Sequence, residues 1–159
     1  MVISGNLLYI SGQGPVKLDG SQMIGKVGKD LSAEEGKLAA RQVGLTMLAT
    51  IKEHFKDIDR IKRVVKVLGM VNCTMEFKEH PFVINGFSEL MRDIFGEQYG
   101  VGARSGGLSR AQSWTTGAQG TTEVTMPTTT YILGVGGAAL ECRKYGRVQL
   151  ASGGSITAK

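Results

Sequence analysis

The chain of 159 residues is 42% hydrophobic and 21% charged, which is enough apolar material for one domain core and too little length for two domains. No apolar run reaches the roughly 18 residues that cross a bilayer, and the opening Met1-Val2-Ile3-Ser4-Gly5 lacks the basic start and long apolar stretch of an export signal, so a cytoplasmic protein without membrane attachment is expected. The net charge of +5 arises from 19 basic residues interleaved with 14 acidic ones, which excludes a basic tract and gives no indication of a nucleic-acid partner.

Asn6-Leu7-Leu8-Tyr9-Ile10-Ser11, bounded by Gly5 and Gly12, is rich in strand formers, and Lys17-Leu18-Asp19-Gly20-Ser21 carries an Asp-Gly turn. A β-hairpin reaching about residue 27 is predicted. Ser32 and Glu35 form a capping box, so a helix is expected from Ala33 to Phe55, burying the stripe Ala40, Val43, Met47, Ile51 and Phe55. Residues 63–73 are dense in β-branched side chains and apolar on both parities, with Val65, Val67 and Val71 on one face and Val64, Leu68 and Met70 on the other. His80-Pro81 opens a second helix, whose stripe is Val83, Phe87, Leu90, Met91 and Ile94 and whose stop is Gly96. A short strand through Ala103-Arg104-Ser105 completes the order β-β-α-β-α-β.

Strand, helix and strand in one sheet take the right-handed crossover, so both helices fall on the same side. The expected fold is an α+β two-layer sandwich, with two helices on one face of a mixed sheet. Two helices leave the other face of the central strand bare. Each valine or leucine there is worth roughly 1.5–3 kcal/mol when fully buried, so self-association, sheet against sheet, is expected; the other cover available is the carboxy-terminal segment folded back.

The sharpest chemical signals are missing. His54 and His80 have no Cys or carboxylate at ligand spacing, so no metal site is expected, and Cys73 and Cys142 are too few and too distant for a stapled scaffold. Cys73, late in an apolar strand, reads as a core residue. Gly134-Val135-Gly136-Gly137-Ala138-Ala139 fits the glycine turn of a dinucleotide site, but the helix, strand and acidic residue that should follow are absent. Lys62, Arg63 and Lys66 form the densest basic cluster, yet Asp57 and Asp59 stand beside them, as on a solvated edge. Arg104 is the remaining candidate: its guanidinium is a rigid fork of donors suited to a carboxylate or phosphate, or to a structural ion pair.

The composition breaks near Ser105. Residues 106–159 hold ten Gly, nine Thr and only seven charged residues, and they show no steady hydrophobic period. The chain therefore divides into a domain over residues 1–105 and an unassigned Gly/Thr-rich segment over 106–159, either disordered or read from an altered frame.

Gly5-Asn6-Leu7-Leu8-Tyr9-Ile10-Ser11-Gly12-Gln13-Gly14-Pro15, Val64-Val65-Lys66-Val67-Leu68-Gly69-Met70-Val71-Asn72-Cys73-Thr74, Val83-Ile84-Asn85-Gly86-Phe87-Ser88 and Gly102-Ala103-Arg104-Ser105 resemble, in order and spacing, the Rid (YjgF-like) family, often labelled endoribonuclease L-PSP or chorismate mutase-like. The resemblance covers residues 1–105. It implies a chorismate mutase-like fold, a homotrimer with sheets facing inward, and clefts between subunits. It also implies hydrolysis of enamine or imine intermediates such as 2-aminoacrylate to a 2-keto acid and ammonia, without metal or cofactor. By the same resemblance Arg104 binds the substrate carboxylate, Ser11, Gly12 and Gln13 line the cleft, and Asn85 stands near it. The family's closing strand, with its water-directing glutamate, is not legible after Ser105; Glu123 is the nearest candidate, and glycine occupies the position of a reactive cysteine just after Arg-Ser. Without that strand, a non-catalytic trimeric binder of small carboxylates and an endoribonuclease or translation inhibitor are the alternatives.

Overall fold

The computed structural model describes residues 1–108 and 133–142. Its elements in chain order are β1 (Val2–Ser4), β2 (Leu7–Gln13), α1 (Ala33–Phe55), a 3₁₀ turn (Ile58–Arg60), β3 (Ile61–Val71), α2 (His80–Phe95), a one-turn α3 (Glu97–Gly100), β4 (Ala103–Leu108) and β5 (Leu133–Cys142). The five strands form one mixed sheet in the order β1-β2-β5-β3-β4. Only β3 and β4 run parallel; the other neighbours are antiparallel. Both long helices cover one face, giving the α+β two-layer arrangement expected from the sequence. Among the described residues no helix is long and apolar enough to cross a membrane.

Local chemistry sets the helix boundaries. The Glu35 amide donates to Ser32 Oγ at 3.1 Å and the Ser32 amide to Glu35 Oε2 at 2.8 Å, the reciprocal cap that starts α1. All five residues of its expected stripe are buried. Gly96, at φ +82°, ends α2 in a conformation that glycine adopts without strain. Of the α2 stripe, Val83, Phe87, Leu90 and Met91 are buried, whereas Ile94, in the last turn, is 45% exposed and lines an open cleft with Phe95 and Tyr99.

The core lies between the helices and the sheet, and the largest fully buried side chains are Phe87, Leu8, Met47 and Ile51. Each contributes about 1.5–3 kcal/mol by leaving water. The helices cross closely at glycines. A Cβ on Gly44 would stand 2.6 Å from Leu90 Cδ2, and one on Gly86 would overlap the carbonyl oxygen of Lys37, so backbone lies directly against backbone there.

Three expectations are corrected. The hairpin is made by β1 and β2 (Val2↔Tyr9, Ser4↔Leu7), not by a strand continuing to residue 27; the Asp19-Gly20 turn instead closes an isolated bridge between Val16 and Gln22, where Ser21 donates both its amide and its hydroxyl to Asp19 Oδ1. In β3, register shifts between Ile61 and Arg63, Val64 and Lys66, and Leu68 and Gly69 break the period-2 pattern. Val64 therefore joins Val67 and Val71 in the core, while Val65 and Leu68 share the open face.

The third correction concerns the closing strand. β5 fills the centre of the sheet, paired with β2 through Leu8↔Leu140 and Ile10↔Ala138 and with β3 through Val64↔Leu140 and Val67↔Ala138. It is built from the glycine-rich stretch that resembled a dinucleotide turn. Ala138, Leu140 and Cys142 point inward and are buried, alternating with Ala139 and Glu141, so pairing on both edges overrides the poor strand propensity of Gly134, Gly136 and Gly137. β4 itself runs through Ser105 to Leu108, and the same sheet thus draws on both sides of the composition break.

Candidate functional site

β4 is an edge strand, and its register sets Arg104 opposite Val67. Alternation turns Arg104 and Gly106 toward the helix layer and Ser105 toward the open face, where Lys66 Nζ donates to Ser105 Oγ at 2.6 Å. α2 presents Asn85 and Ser88 to the guanidinium. Arg104 NH1 donates to Asn85 Oδ1 at 2.5 Å and to Ser88 Oγ at 3.3 Å. Both acceptors are neutral, so they aim the fork without cancelling its charge. Among the described residues no carboxylate stands within ion-pair distance of Arg104, which remains exposed.

Glycines allow this approach. A Cβ on Gly102 would stand 2.7 Å from the Val64 carbonyl oxygen, so β4 enters against the irregular part of β3. Gly69 and Gly106, paired across β3 and β4, leave room for Ile84 of α2 between them. The helix seats there, and the residues after Ile84 come within reach of Arg104.

The structure joins Arg104 and Asn85 and adds Ser88, which the sequence reading missed; its signal was the i, i+3 spacing from Asn85 on an otherwise apolar helix face. Ser11, Gly12 and Gln13 lie on β2, with β5 and β3 between them and β4, roughly 14 Å away at about 4.8 Å per strand. Ser11 and Gly12 are exposed, and Gln13 Oε1 accepts from Thr50 Oγ1 at 3.4 Å. Glu123 lies outside the described residues.

The basic cluster is spent locally. Lys62 pairs with Glu141 at 3.0 Å, the Arg63 guanidinium lies 5.8 Å from the centre of the Tyr99 ring, and Lys66 serves Ser105. Beside Lys62 an open cleft of about 680 Å³, walled by Ile58, Ile61, Ile94, Phe95 and Tyr99, marks the end of the sheet away from Arg104.

Cys73 Sγ is 3.2 Å from His80 Nε2, a contact that bends back across the loop before α2 and that spacing along the chain did not reveal. It is a pair rather than a metal site, and among the described residues no three His, Cys, Asp or Glu side chains converge as ligands. Burial pushes the Cys73 thiol up from the usual 9.0, Lys26 opposing weakly, and burial does the same to Cys142 against the pull of Arg60. Burial thus favours the neutral thiol over the thiolate at both positions. At pH 8 they are expected to react with a thiol reagent at least about tenfold more slowly than in denaturant. Since folding raises both pKa values, the stability they contribute is complete below the unfolded value of about 9 and is lost as pH climbs through the raised values. A thiol-release assay and a pH series of denaturant melts check this; native thiols as reactive as unfolded ones would contradict it.

Residues 1–111 match the profile of the family described as "YjgF/chorismate mutase-like, putative endoribonuclease". The Trypanosoma cruzi protein TCP17 is 41% identical over 103 residues, which cover 65% of this chain and 64% of that protein. The match thus spans less than two thirds of that relative's length. A protein of unknown function from Agrobacterium tumefaciens superposes with a TM-score of 0.73 at 31% identity, covering 89% of this chain and 81% of its own. A structure from Shewanella oneidensis, described as "a putative endoribonuclease", gives 0.70 at 28% identity, covering 88% and 82%.

Proposed function

This chain belongs to the YjgF/chorismate mutase-like family, and from that membership we propose that it takes a small 2-imino acid by its carboxylate on Arg104 and hydrolyses it to the 2-keto acid and ammonia. The observation that carries the reading is the Arg104 guanidinium, held by two neutral acceptors on an exposed edge and paired with no carboxylate among the described residues. A charge-assisted, bidentate grip on a carboxylate is worth about 1.5–3 kcal/mol. It also fixes the neighbouring C=N carbon. Water adds to that carbon, the C–N bond breaks, and ammonia leaves with the protons that water and solvent supply; the positioning replaces a chance encounter by an intramolecular one.

The site is completed by neighbouring copies in a homotrimer. Tyr9, Val65 and Leu68 stand exposed on the open face, between 37% and 46%, and sheet-to-sheet contact covers them. The same assembly brings Ser11, Gly12 and Gln13 of one copy to Arg104 and Asn85 of the next, across the roughly 14 Å that separates them within one chain.

The test is ammonia release from freshly generated 2-aminoacrylate, with the mass in solution measured by light scattering. Release faster than the spontaneous rate, from a particle three times the 17.0 kDa chain, is expected. Binding of a 2-keto acid without accelerated release would make the protein a carboxylate binder instead. The second reading is RNA cleavage, favoured by the wording of the family description and of the Shewanella oneidensis structure. The engagement of Lys62, Arg63 and Lys66 by protein groups weighs against it.

A further inference from the structure

The cleft at the end of the sheet away from Arg104 opens where the 3₁₀ turn leads into β3 and where α2 gives way to α3. Its volume of about 680 Å³ falls within the span of roughly 300–1,000 Å³ that holds small molecules. Lys62, at its edge, lies along β3 from Val67, the register partner of Arg104, by roughly 15 Å at the rise of an extended strand. The cleft is therefore separate from the guanidinium site.

Its walls are apolar and partly aromatic. Ile58 and Ile61 come from the turn and the start of β3, and Ile94, Phe95 and Tyr99 from the ends of α2 and α3. Ile94 and Tyr99 are large side chains left exposed, and an apolar guest would shield them from water. A flat ring suits Phe95 and Tyr99, because paired rings attract beyond the area they bury.

The two charged residues of the cleft differ in what they have left to offer. Lys62 Nζ is 3.0 Å from Glu141 Oε1, so its charge is met locally. Asp59 is exposed, and its amide donates to Asp57 Oδ1 at 3.0 Å, yet its own carboxylate has no hydrogen-bond or ion-pair partner among the described residues. The neighbouring arginines are drawn to rings: Arg60 lies 4.8 Å from the centre of Phe55 and Arg63 5.8 Å from that of Tyr99. Asp57 adds a second negative charge beside Asp59. The complement of such a cleft is an apolar group that ends in a cation.

We infer that this cleft is a second binding site, for a small aromatic amine, with the ring held by the apolar walls and the ammonium by Asp59. The inference is independent of the reading of Arg104.

The test uses three probes with one ring and different ends: 2-phenylethylamine, 2-phenylethanol and 3-phenylpropionate. Each is titrated into the full chain by ligand-observed NMR, as wild type, Asp59→Asn and Ile94→Ser. Both substitutions fall at exposed positions, so the fold is kept. Wild type is expected to favour the amine over the alcohol by about threefold to fivefold, the contribution of an ion pair open to solvent, and over the carboxylate by more, since Asp59 repels it. Asp59→Asn should bring amine and alcohol within about twofold of each other. Ile94→Ser should weaken both by about threefold or more, through lost apolar contact, and leave their ratio unchanged. Saturating pyruvate should not displace the amine. Equal binding of the three probes, preference for the carboxylate, an amine preference that survives Asp59→Asn, or amine binding untouched by Ile94→Ser overturns the inference. So does displacement by pyruvate, which would put the amine at Arg104, and so does a wild type that binds none of the probes, as it would if a second copy already covered the cleft.

Discussion

Gly86→Ala is expected to lower stability by about 3 kcal/mol or more, because two helix backbones meet at that glycine. The added Cβ would overlap the Lys37 carbonyl oxygen of α1 and lie 2.9 Å from its carbon. A flexible side chain could rotate away; a helix backbone cannot. The two helices must separate, and the contacts of Val43, Met47, Phe87 and Leu90 loosen with them. Denaturant melts check the size of the loss, and for a chain of this length the midpoint temperature should fall by roughly 10 °C. Substitution at Gly107, whose Cβ position is open, is the control. A Gly86→Ala protein as stable as the control would mean that the helices do not cross there.

The second large effect is functional. Arg104→Ala should weaken keto-acid binding by roughly 10- to 150-fold, the range set by losing a charge-assisted hydrogen-bonded pair. Arg104→Lys should recover only part of it, because an ammonium is a point charge where the guanidinium is a planar fork. Stability should fall only modestly, since the Arg104 side chain is exposed, Asn85 is half-buried and can turn to water, and the bond to the buried Ser88 is long at 3.3 Å. The same variant separates the readings of function. Carboxylate chemistry should disappear while any RNA cleavage persists; loss of cleavage with binding intact would favour the ribonuclease.

Residue types announced the helices because capping and periodicity are local. Ser32 and Glu35 lie three positions apart and satisfy each other wherever the rest of the chain goes. The parity of β3 was not legible, because register shifts depend on partners that the strand does not contain. β5 was hidden for a related reason. Its inward residues include Ala138 and Cys142, small side chains that give a weak alternation, and its strand character comes from β2 and β3 on either side. For the candidate site, the family resemblance pointed to Arg104 and Asn85, and the structure sets them 2.5 Å apart. Ser88 and the seat of Ile84 were out of reach, since each needs the distance between α2 and β4, and that distance is set by glycines whose role is to be absent.

The position of β5 bears on how the protein is made. Its neighbours β2 and β3 are translated long before it, and neither pairs with the other. A nascent chain therefore carries two half-sheets, one of β1 with β2 and one of β3 with β4, each with an unsatisfied ladder toward the gap. The late strand joins them in a single step that links residues far apart along the chain, which makes closure slow and leaves two sticky edges exposed until β5 has been made.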